Sequence, residues 1–185
     1  GSLRFHVLET PGHTPEHVSY VLSDTARSTA PMIAFTGGAL LIGSVGRPDL
    51  LGEELGRELA PQLYHSLYDR LLKLEDYVEV YPTHGSGSLC GRDIQSRLTS
   101  TIGYERRFNE ALRQSNERSF VQFIIQGQPP IPAYYRRMRK VNQQGPRLVG
   151  SLPEPLRMRP HEVQERLKQG YIILDTRHPA AFGGA

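Results

Sequence analysis

The sequence predicts a mixed α/β fold in which several strands pack against a long amphipathic helix. Two short runs of alternating apolar and polar side chains, residues 3–8 and 18–22, are typical of adjacent strands joined by a tight loop. Leucine then recurs every four residues from Leu55 to Leu71, which predicts a helix over residues 53–74. Because the apolar strands end in Gly-rich loops, those loops can meet at one sheet edge and form a site there.

The loop at residues 10–17 holds the first candidate ligand, His13. Proline fixes φ and glycine tolerates positive φ, so the Pro-Gly pair before His13 predicts a sharp turn that projects its imidazole from the end of the sheet. Such an imidazole can bind a metal ion, although a surface turn that happens to contain histidine explains the residues equally well. A Gly-rich loop at residues 36–50 follows the third strand. The fourth strand, residues 78–81, leads to His84, the second candidate ligand.

The rest of the chain predicts further helices and a domain boundary. Helices are predicted at residues 93–114, 115–123 and 133–141. The glycines and prolines of residues 142–155 predict an interdomain linker, so we place one domain at residues 1–150 and another at residues 151–185. In the second domain we expect a short helix ending near Gly170 and then a buried strand at residues 171–174. About thirty residues cannot bury a core of their own.

The composition is that of a protein with a core and no transmembrane helix. Of the 185 residues, 38% are hydrophobic. The apolar runs are too short to cross a bilayer, and the first residues lack a secretory signal pattern, so we expect a cytoplasmic protein without a membrane partner. The net charge is +3, and the basic cluster at residues 136–140 predicts a solvated helix face rather than a nucleic-acid site. The chain starts with Gly1-Ser2 and not with methionine, which suggests either a cloning scar or a chain whose beginning lies upstream, and we expect the second.

Cys90 is the only cysteine, which excludes an intrachain disulfide and a multi-cysteine zinc site. A metal ion would therefore be held by histidine and carboxylate. The spacing shows no cysteine–histidine pairing, so we interpret Cys90 as a small buried side chain near the site rather than a nucleophile.

Three motifs follow one another along the chain: Pro-Gly-His-Thr, then Phe-Thr-Gly-x-x-Leu with Gly-Arg-Pro-Asp, and then Tyr-Pro-Thr-His-Gly. In this order they resemble the metallo-β-lactamase fold, most of all its subgroup of persulfide dioxygenases, relatives of glyoxalase II that are often fused to rhodanese domains. Residues 15–20, 88–91 and 100–107 resemble the fused subgroup in particular. The resemblance covers residues 1–150 and implies the C-terminal half of an αββα sandwich, since the first-half motif His-x-His-x-Asp-His is not in this sequence. Residues 171–177 resemble the opening of a rhodanese-like α/β domain, truncated here.

The resemblance also implies a metal site at the positions of His13, Gly38 and His84. In the relatives the histidine matching His13 binds the metal, an aspartate ligand follows Phe-Thr-Gly, and the histidine matching His84 binds a second metal or lines the pocket. The aspartate position is Gly38 here, which has no side chain. The family arginine of the Gly-Arg-Pro-Asp loop lies near the thiol-peptide substrate, so Arg47 is expected to bind glutathione. The residues alone allow equally that Arg47 pairs with Asp49 to fix the loop.

These implications lead to three hypotheses about function. The first is a persulfide dioxygenase that oxidises glutathione persulfide, or another small thiol substrate, to sulfite at a mononuclear non-haem Fe(II), with a fused rhodanese sulfurtransferase domain. The second is a zinc-dependent thioester hydrolase of the glyoxalase II type. The third is an inactive, truncated scaffold, because an Fe(II) facial site needs a carboxylate that Gly38 cannot supply. We expect this chain alone to be inactive, and the sequence leaves a homodimer open.

Overall fold

The computed structural model describes residues 1–184, apart from the side chains of Arg136 and Arg139. Ala185, the end of the predicted second domain, lies outside the described residues, as does part of the predicted basic cluster. The strands β1 to β7 span, in chain order, Leu3–Glu9, Val18–Asp24, Ile33–Gly37, Leu40–Leu41, Ser44–Val45, Glu79–Pro82 and Ser100–Thr101. The helices α1 to α6 span Glu53–His65, Ile102–Phe108, Glu117–Ile125, Tyr135–Gln144, Pro160–Lys168 and Pro179–Phe182.

Five strands form one mixed sheet in the order β1-β2-β3-β6-β7, and β4 pairs with β5 in a separate hairpin. Strands β3 and β6 are parallel neighbours, whereas the other pairs in the main sheet are antiparallel. Parallel pairing places Gly37, at the end of β3, beside Pro82, at the end of β6. The Thr83 amide donates a 3.0 Å hydrogen bond to the Gly37 carbonyl. The loops that follow these two strands therefore start from the same edge of the sheet.

The two faces of the main sheet have different surroundings, as the alternation of side chains along a strand requires. Val21, Ala34 and Val80 pair across β2, β3 and β6, and all three are buried. Their neighbours in sequence, Tyr20, Phe35 and Tyr81, pair in the same order on the opposite face and are exposed. One face therefore packs on the helical core, and the other face is exposed in this chain.

The leucine repeat forms the helix that it predicts. Helix α1 covers Glu53–His65, and the chain continues through a π-helical turn, Ser66–Arg70, and a 3₁₀ turn, Leu71–Lys73. The leucines at 59, 63, 67 and 71 are buried. The last three of them pack in one apolar cluster with Phe120 and Ile124 of α3. The predicted helix over residues 53–74 is thus confirmed, because helical structure continues from Glu53 to Lys73. Its last two turns are π-helical and 3₁₀ instead of α-helical.

Two local predictions were wrong. Residues 93–101 are not helical: Asp93 has a φ of 54°, and α2 begins only at Ile102, where the side chain of Thr101 accepts a hydrogen bond from the Tyr104 amide. Residues 171–174 form no strand and are exposed. Within residues 1–184 this segment pairs with no other strand, and a strand without a partner leaves its backbone groups unpaired.

The described chain divides into a compact unit at Gly1–Lys140 and a second unit that begins at Val141. The predicted domain boundary at residue 150 stays a prediction. No helix within residues 1–184 is long and apolar enough to cross a bilayer.

Candidate metal centre

Three chain segments meet at the edge where β3 and β6 end. His13 comes from the loop between β1 and β2, while His84 and Cys90 lie in the segment that follows β6. The structure brings these three side chains together, with one ligand atom from each residue lying within 4.8 Å of the others. The expected meeting of His13 and His84 is therefore observed, and their metal binding stays a prediction.

The ring of His13 is held in one orientation by backbone groups. Its Nδ1 lies 2.9 Å from the Arg47 carbonyl oxygen. A carbonyl only accepts hydrogen bonds, so Nδ1 carries the proton and Nε2 keeps a free lone pair. Two glycines make room for the ring: a Cβ added at Gly38 would lie 2.3 Å from His13 Cδ2, and one at Gly46 would lie 2.8 Å from Nδ1. The imidazole therefore fills the space into which a side chain at position 38 would extend.

Burial is the main influence on the protonation of His13. It lowers the pKa of the imidazole, the nearby His84 lowers the pKa further, and the hydrogen bond to the Arg47 carbonyl partly offsets this by raising it. The neutral form is consequently favoured. A neutral imidazole is also the form that binds metal ions.

Sequence reasoning missed His17, which supports the loop opposite His13. The Gly38 amide donates a 2.9 Å hydrogen bond to His17 Nε2. Nδ1 of the neutral ring must then carry the proton, and it donates to Thr10 Oγ1 at 2.9 Å. Burial lowers the pKa of His17, with the charge of His13 as the next cause. His17 therefore fixes the turn at the end of β3. Its position four residues after His13, in the same loop, was the available signal.

Arg47 forms a local ion pair. Its Nε and Nη2 each donate a 2.7 Å hydrogen bond to one carboxylate oxygen of Asp49, and its Nη1 donates to the Pro129 carbonyl at 2.8 Å. The Arg47 side chain is only 2% exposed. Of the two interpretations of this arginine, the pairing with Asp49 is the one observed, and the substrate-binding role stays a prediction.

The residues present do not fit an iron site of two histidines and one carboxylate. Gly38 supplies no donor, and the carboxylate of Asp49 is occupied by Arg47. Among residues 1–184, no aspartate or glutamate joins the group formed by His13, His84 and Cys90. The third donor of the observed group is a thiol.

Cys90 was expected near the site without a role, and the structure adds it to the donor group. The Arg47 amide donates a 2.8 Å hydrogen bond to the Cys90 carbonyl, and Gly46 and Gly91 form an antiparallel bridge. Tyr135 of α4 lies beside the thiol: burial raises the pKa of the Tyr135 hydroxyl, and the neighbouring Cys90 is the next cause. Only the bridge between two distant loops brings this cysteine to the histidines, so the spacing gave no signal for it.

A buried carboxylate supports the chain segment that carries Arg47. Glu105 of α2 is fully buried, and it accepts hydrogen bonds from the Gly43 amide at 2.9 Å and from Asn109 Nδ2 at 2.9 Å. Asn109 Nδ2 also donates to the Ser44 carbonyl at 2.9 Å. These bonds fix the turn between β4 and β5, just before Gly46 and Arg47. Nothing in the sequence pattern of α2 indicated this role.

Comparison with solved structures identifies the fold. A metallo-β-lactamase from Staphylococcus aureus superposes with a TM-score of 0.70 at 38% identity, over 77% of this chain and 41% of that one. The ETHE1 protein of Myxococcus xanthus superposes with a TM-score of 0.59 at 33% identity, over 77% of this chain and 54% of that one. The chain thus has the mixed α/β architecture of the metallo-β-lactamase fold. The fold is named after metal-dependent enzymes.

Sequence comparison narrows the relationship. No family model matches the chain. The mitochondrial persulfide dioxygenase ETHE1 of Mus musculus is 36% identical over 121 residues, which cover 63% of this chain and 40% of that protein. A hydroxyacylglutathione hydrolase of Dictyostelium discoideum is 36% identical over 84 residues, covering 45% of this chain and 29% of that protein. The chain is therefore similar to persulfide dioxygenases at moderate sequence identity, and it spans less than half the length of these relatives.

Proposed function

We propose that this protein acts in sulfur metabolism on glutathione persulfide or a related small thiol. The parent activity is that of a persulfide dioxygenase, which oxidises the persulfide to sulfite at a mononuclear non-haem iron. The observation that carries the proposal is the 36% identity to a persulfide dioxygenase over 121 residues. The oriented ring of His13, with Nε2 free, supports a metal-binding origin for the cleft.

We propose further that this chain alone does not catalyse the oxygen-dependent step. An Fe(II) ion with a facial set of ligands needs an anionic carboxylate beside two imidazoles. With Gly38 in place of that carboxylate, we expect weak iron retention. The chain's own contribution is then a cleft of imidazole and thiol groups that can receive a small thiol substrate.

Iron content and oxygen consumption test this proposal. The chain, supplied with Fe(II) and glutathione persulfide, is expected to retain little iron and to consume no oxygen above the buffer rate. Gly38→Asp should retain more iron, and Gly38→Asn is the matched control, because it places a side chain of the same size against His13 without the negative charge. Turnover by the unmodified chain with about one iron per chain would contradict the ligand argument.

The substrate class has a test of its own. Glutathione, a stable surrogate for its persulfide, should shift the NMR resonances of the His13 and His84 rings in a saturable way. If glutathione causes no shift at either ring, the proposed substrate class is wrong, whatever the iron content.

A zinc-dependent thioester hydrolase is the second candidate, favoured by the similarity to the hydroxyacylglutathione hydrolase. It predicts hydrolysis of a hydroxyacylglutathione thioester by the zinc-loaded chain, without oxygen. Hydrolysis that depends on His13 would favour this candidate, and oxygen uptake would favour the first.

We also propose that residues 151–185 begin a rhodanese-like sulfurtransferase domain. Asp175 and Arg177 are paired, with Arg177 Nη2 2.6 Å from Asp175 Oδ2, and the exposed Ile172, Ile173 and Leu174 before them have the composition of a buried strand. Limited proteolysis should leave a resistant core that ends near residue 150. Cleavage confined to residues 1–110 would contradict the boundary.

We also propose that the chain forms the homodimer that the sequence leaves open. Analytical ultracentrifugation tests this by measuring the mass of the sedimenting species.

A further inference from the structure

The group formed by His13, His84 and Cys90 combines two imidazoles with one thiol. Their ligand atoms lie within 4.8 Å of one another. Around a tetrahedral zinc ion, with Zn–N bonds of about 2.0 Å and a Zn–S bond of about 2.3 Å, the donors lie about 3.3 to 3.6 Å apart. Modest side-chain rotation therefore brings the three donors to bonding distance.

One short backbone segment positions two of the three donors. The Arg47 carbonyl accepts a hydrogen bond from the Nδ1–H group of His13, which leaves Nε2 with a free lone pair for a metal ion. The Arg47 amide donates to the Cys90 carbonyl and so anchors the cysteine from the same residue. A backbone carbonyl on the second ring nitrogen is the outer-shell partner typical of metal-bound histidines. Both contacts are made by the backbone of one residue, so they fix the positions of these two residues relative to each other.

The third donor, His84, and the donor Cys90 are more accessible to solvent than His13. His84 and Cys90 are half-buried, whereas the ring of His13 is enclosed between Gly38 and Gly46. An ion can therefore reach the group from the side of His84 and Cys90. Three protein ligands leave a fourth position open for water or a small thiol.

The donor chemistry selects the class of ion. Thiolate is a soft ligand, and a set of two imidazoles and one thiolate suits zinc or cobalt(II) better than an oxygen-activating iron(II), which prefers a carboxylate. Gly38 removes that carboxylate, and the ring of His13 lies against the position where it would extend.

We propose that His13, His84 and Cys90 form a thiophilic metal site that binds a tetrahedral divalent cation of the zinc class in place of iron. On binding, the Cys90 thiol loses its proton to solvent, and one sulfur–metal bond and two nitrogen–metal bonds form as metal-bound waters are released; no oxidation or reduction takes place. The site does not depend on the proposed function, since it needs neither persulfide nor oxygen.

Cobalt(II) is the probe that tests the site, because a thiolate bound to it gives a charge-transfer band in the near ultraviolet. Cys90 is the only thiol in the chain, so such a band has one source. We expect one cobalt ion per monomer, a thiolate charge-transfer band, d–d bands of tetrahedral intensity, and displacement of cobalt by zinc. Calorimetry with zinc alone measures the affinity.

The variants distinguish metal binding at the three donors from metal binding at other histidines of the chain. Cys90→Ser should abolish the charge-transfer band, and Cys90→Ser and His84→Ala should each weaken zinc binding about 100-fold or more, since loss of an outer-shell partner already costs about 10- to 100-fold. His6→Ala is the matched control, an exposed histidine on β1 outside the group, and it should leave binding unchanged. Circular dichroism establishes that each variant is folded.

Three results would overturn the proposal. The first is the absence of a thiolate band at saturating cobalt. The second is zinc affinity in folded Cys90→Ser equal to that of the unmodified chain. The third is a band that appears only with two chains per ion, which would mean that cysteines of separate molecules share the metal. None of these results depends on glutathione or oxygen, so failure here is distinguishable from failure of the proposed function.

Discussion

Gly12 permits the loop of His13 to lie directly on helix α1, and replacing it tests how tightly the two are joined. Gly12 is buried with a φ of 135°, and a Cβ added there would lie 2.3 Å from Leu63 Cβ and 2.4 Å from Leu63 Cα. The Ser66 hydroxyl also donates to the Pro11 carbonyl at 2.7 Å. Gly12→Ala therefore forces the loop away from the backbone of the helix.

The expected loss of stability has two parts. An alanine at this positive φ costs about 1 to 3 kcal/mol. The contact with the Leu63 backbone lies more than 1 Å inside the usual carbon–carbon separation of about 3.5 to 4.0 Å, and relieving such overpacking costs about 1 to 3 kcal/mol more. We expect Gly12→Ala to lower the free energy of unfolding by about 2 to 6 kcal/mol.

Gly52 provides a matched control, because its φ is 124° and a Cβ there would meet nothing within 4 Å. Gly52→Ala carries the backbone cost without the clash, plus a small loss because alanine is a poorer helix N-cap than glycine. Urea unfolding followed by circular dichroism should show Gly12→Ala to be less stable than Gly52→Ala by about 1 to 3 kcal/mol. Equal losses in the two variants would refute the argument that close approach to α1 fixes the His13 loop.

Three further substitutions probe the core, the buried ion pair and the pH dependence. Leu67→Ala, at a fully buried core position, should lower the free energy of unfolding by about 2 to 5 kcal/mol; a loss below 1 kcal/mol in urea titration would contradict the assigned packing. Asp49→Asn leaves the buried guanidinium of Arg47 without its anion and should cost about 3 kcal/mol by the same assay, whereas an unchanged midpoint would mean that the pair contributes nothing. Bonding to Asp69 raises the pKa of His65 above 6.5, so its stabilisation is present below that pH and is lost as pH rises through the folded-state pKa. Thermal melts of His65→Gln should therefore differ from those of the unmodified chain near about pH 5.5 and coincide near about pH 8.5, and a difference that grows with pH would contradict this sign.

The sequence by itself determined the elements whose pattern is local. Alternation along β1 and β2 and the four-residue leucine repeat of α1 each specify an element, since side-chain direction follows from backbone period alone. The leucine repeat also specifies the buried face of its helix, whereas the alternating Leu3, Phe5 and Val7 of β1 are exposed. The turn at Pro11 and Gly12 could also be predicted from the sequence. Proline restricts φ and glycine extends the range of φ, and neither effect requires distant contacts. The order of motifs also indicated the metallo-β-lactamase fold, which the superpositions confirm.

Only the tertiary structure decided which groups meet and in what state. The parallel pairing of β3 with β6 brings His84 to the edge that carries His13, and the bridge between Gly46 and Gly91 adds Cys90. The guanidinium of Arg47 also donates a hydrogen bond to the Pro129 carbonyl, 82 residues further along the chain. No local sequence pattern indicates this contact. Residues 171–174 have the composition of a strand, yet they form none, because strand pairing is a property of two segments and a sequence pattern describes only one.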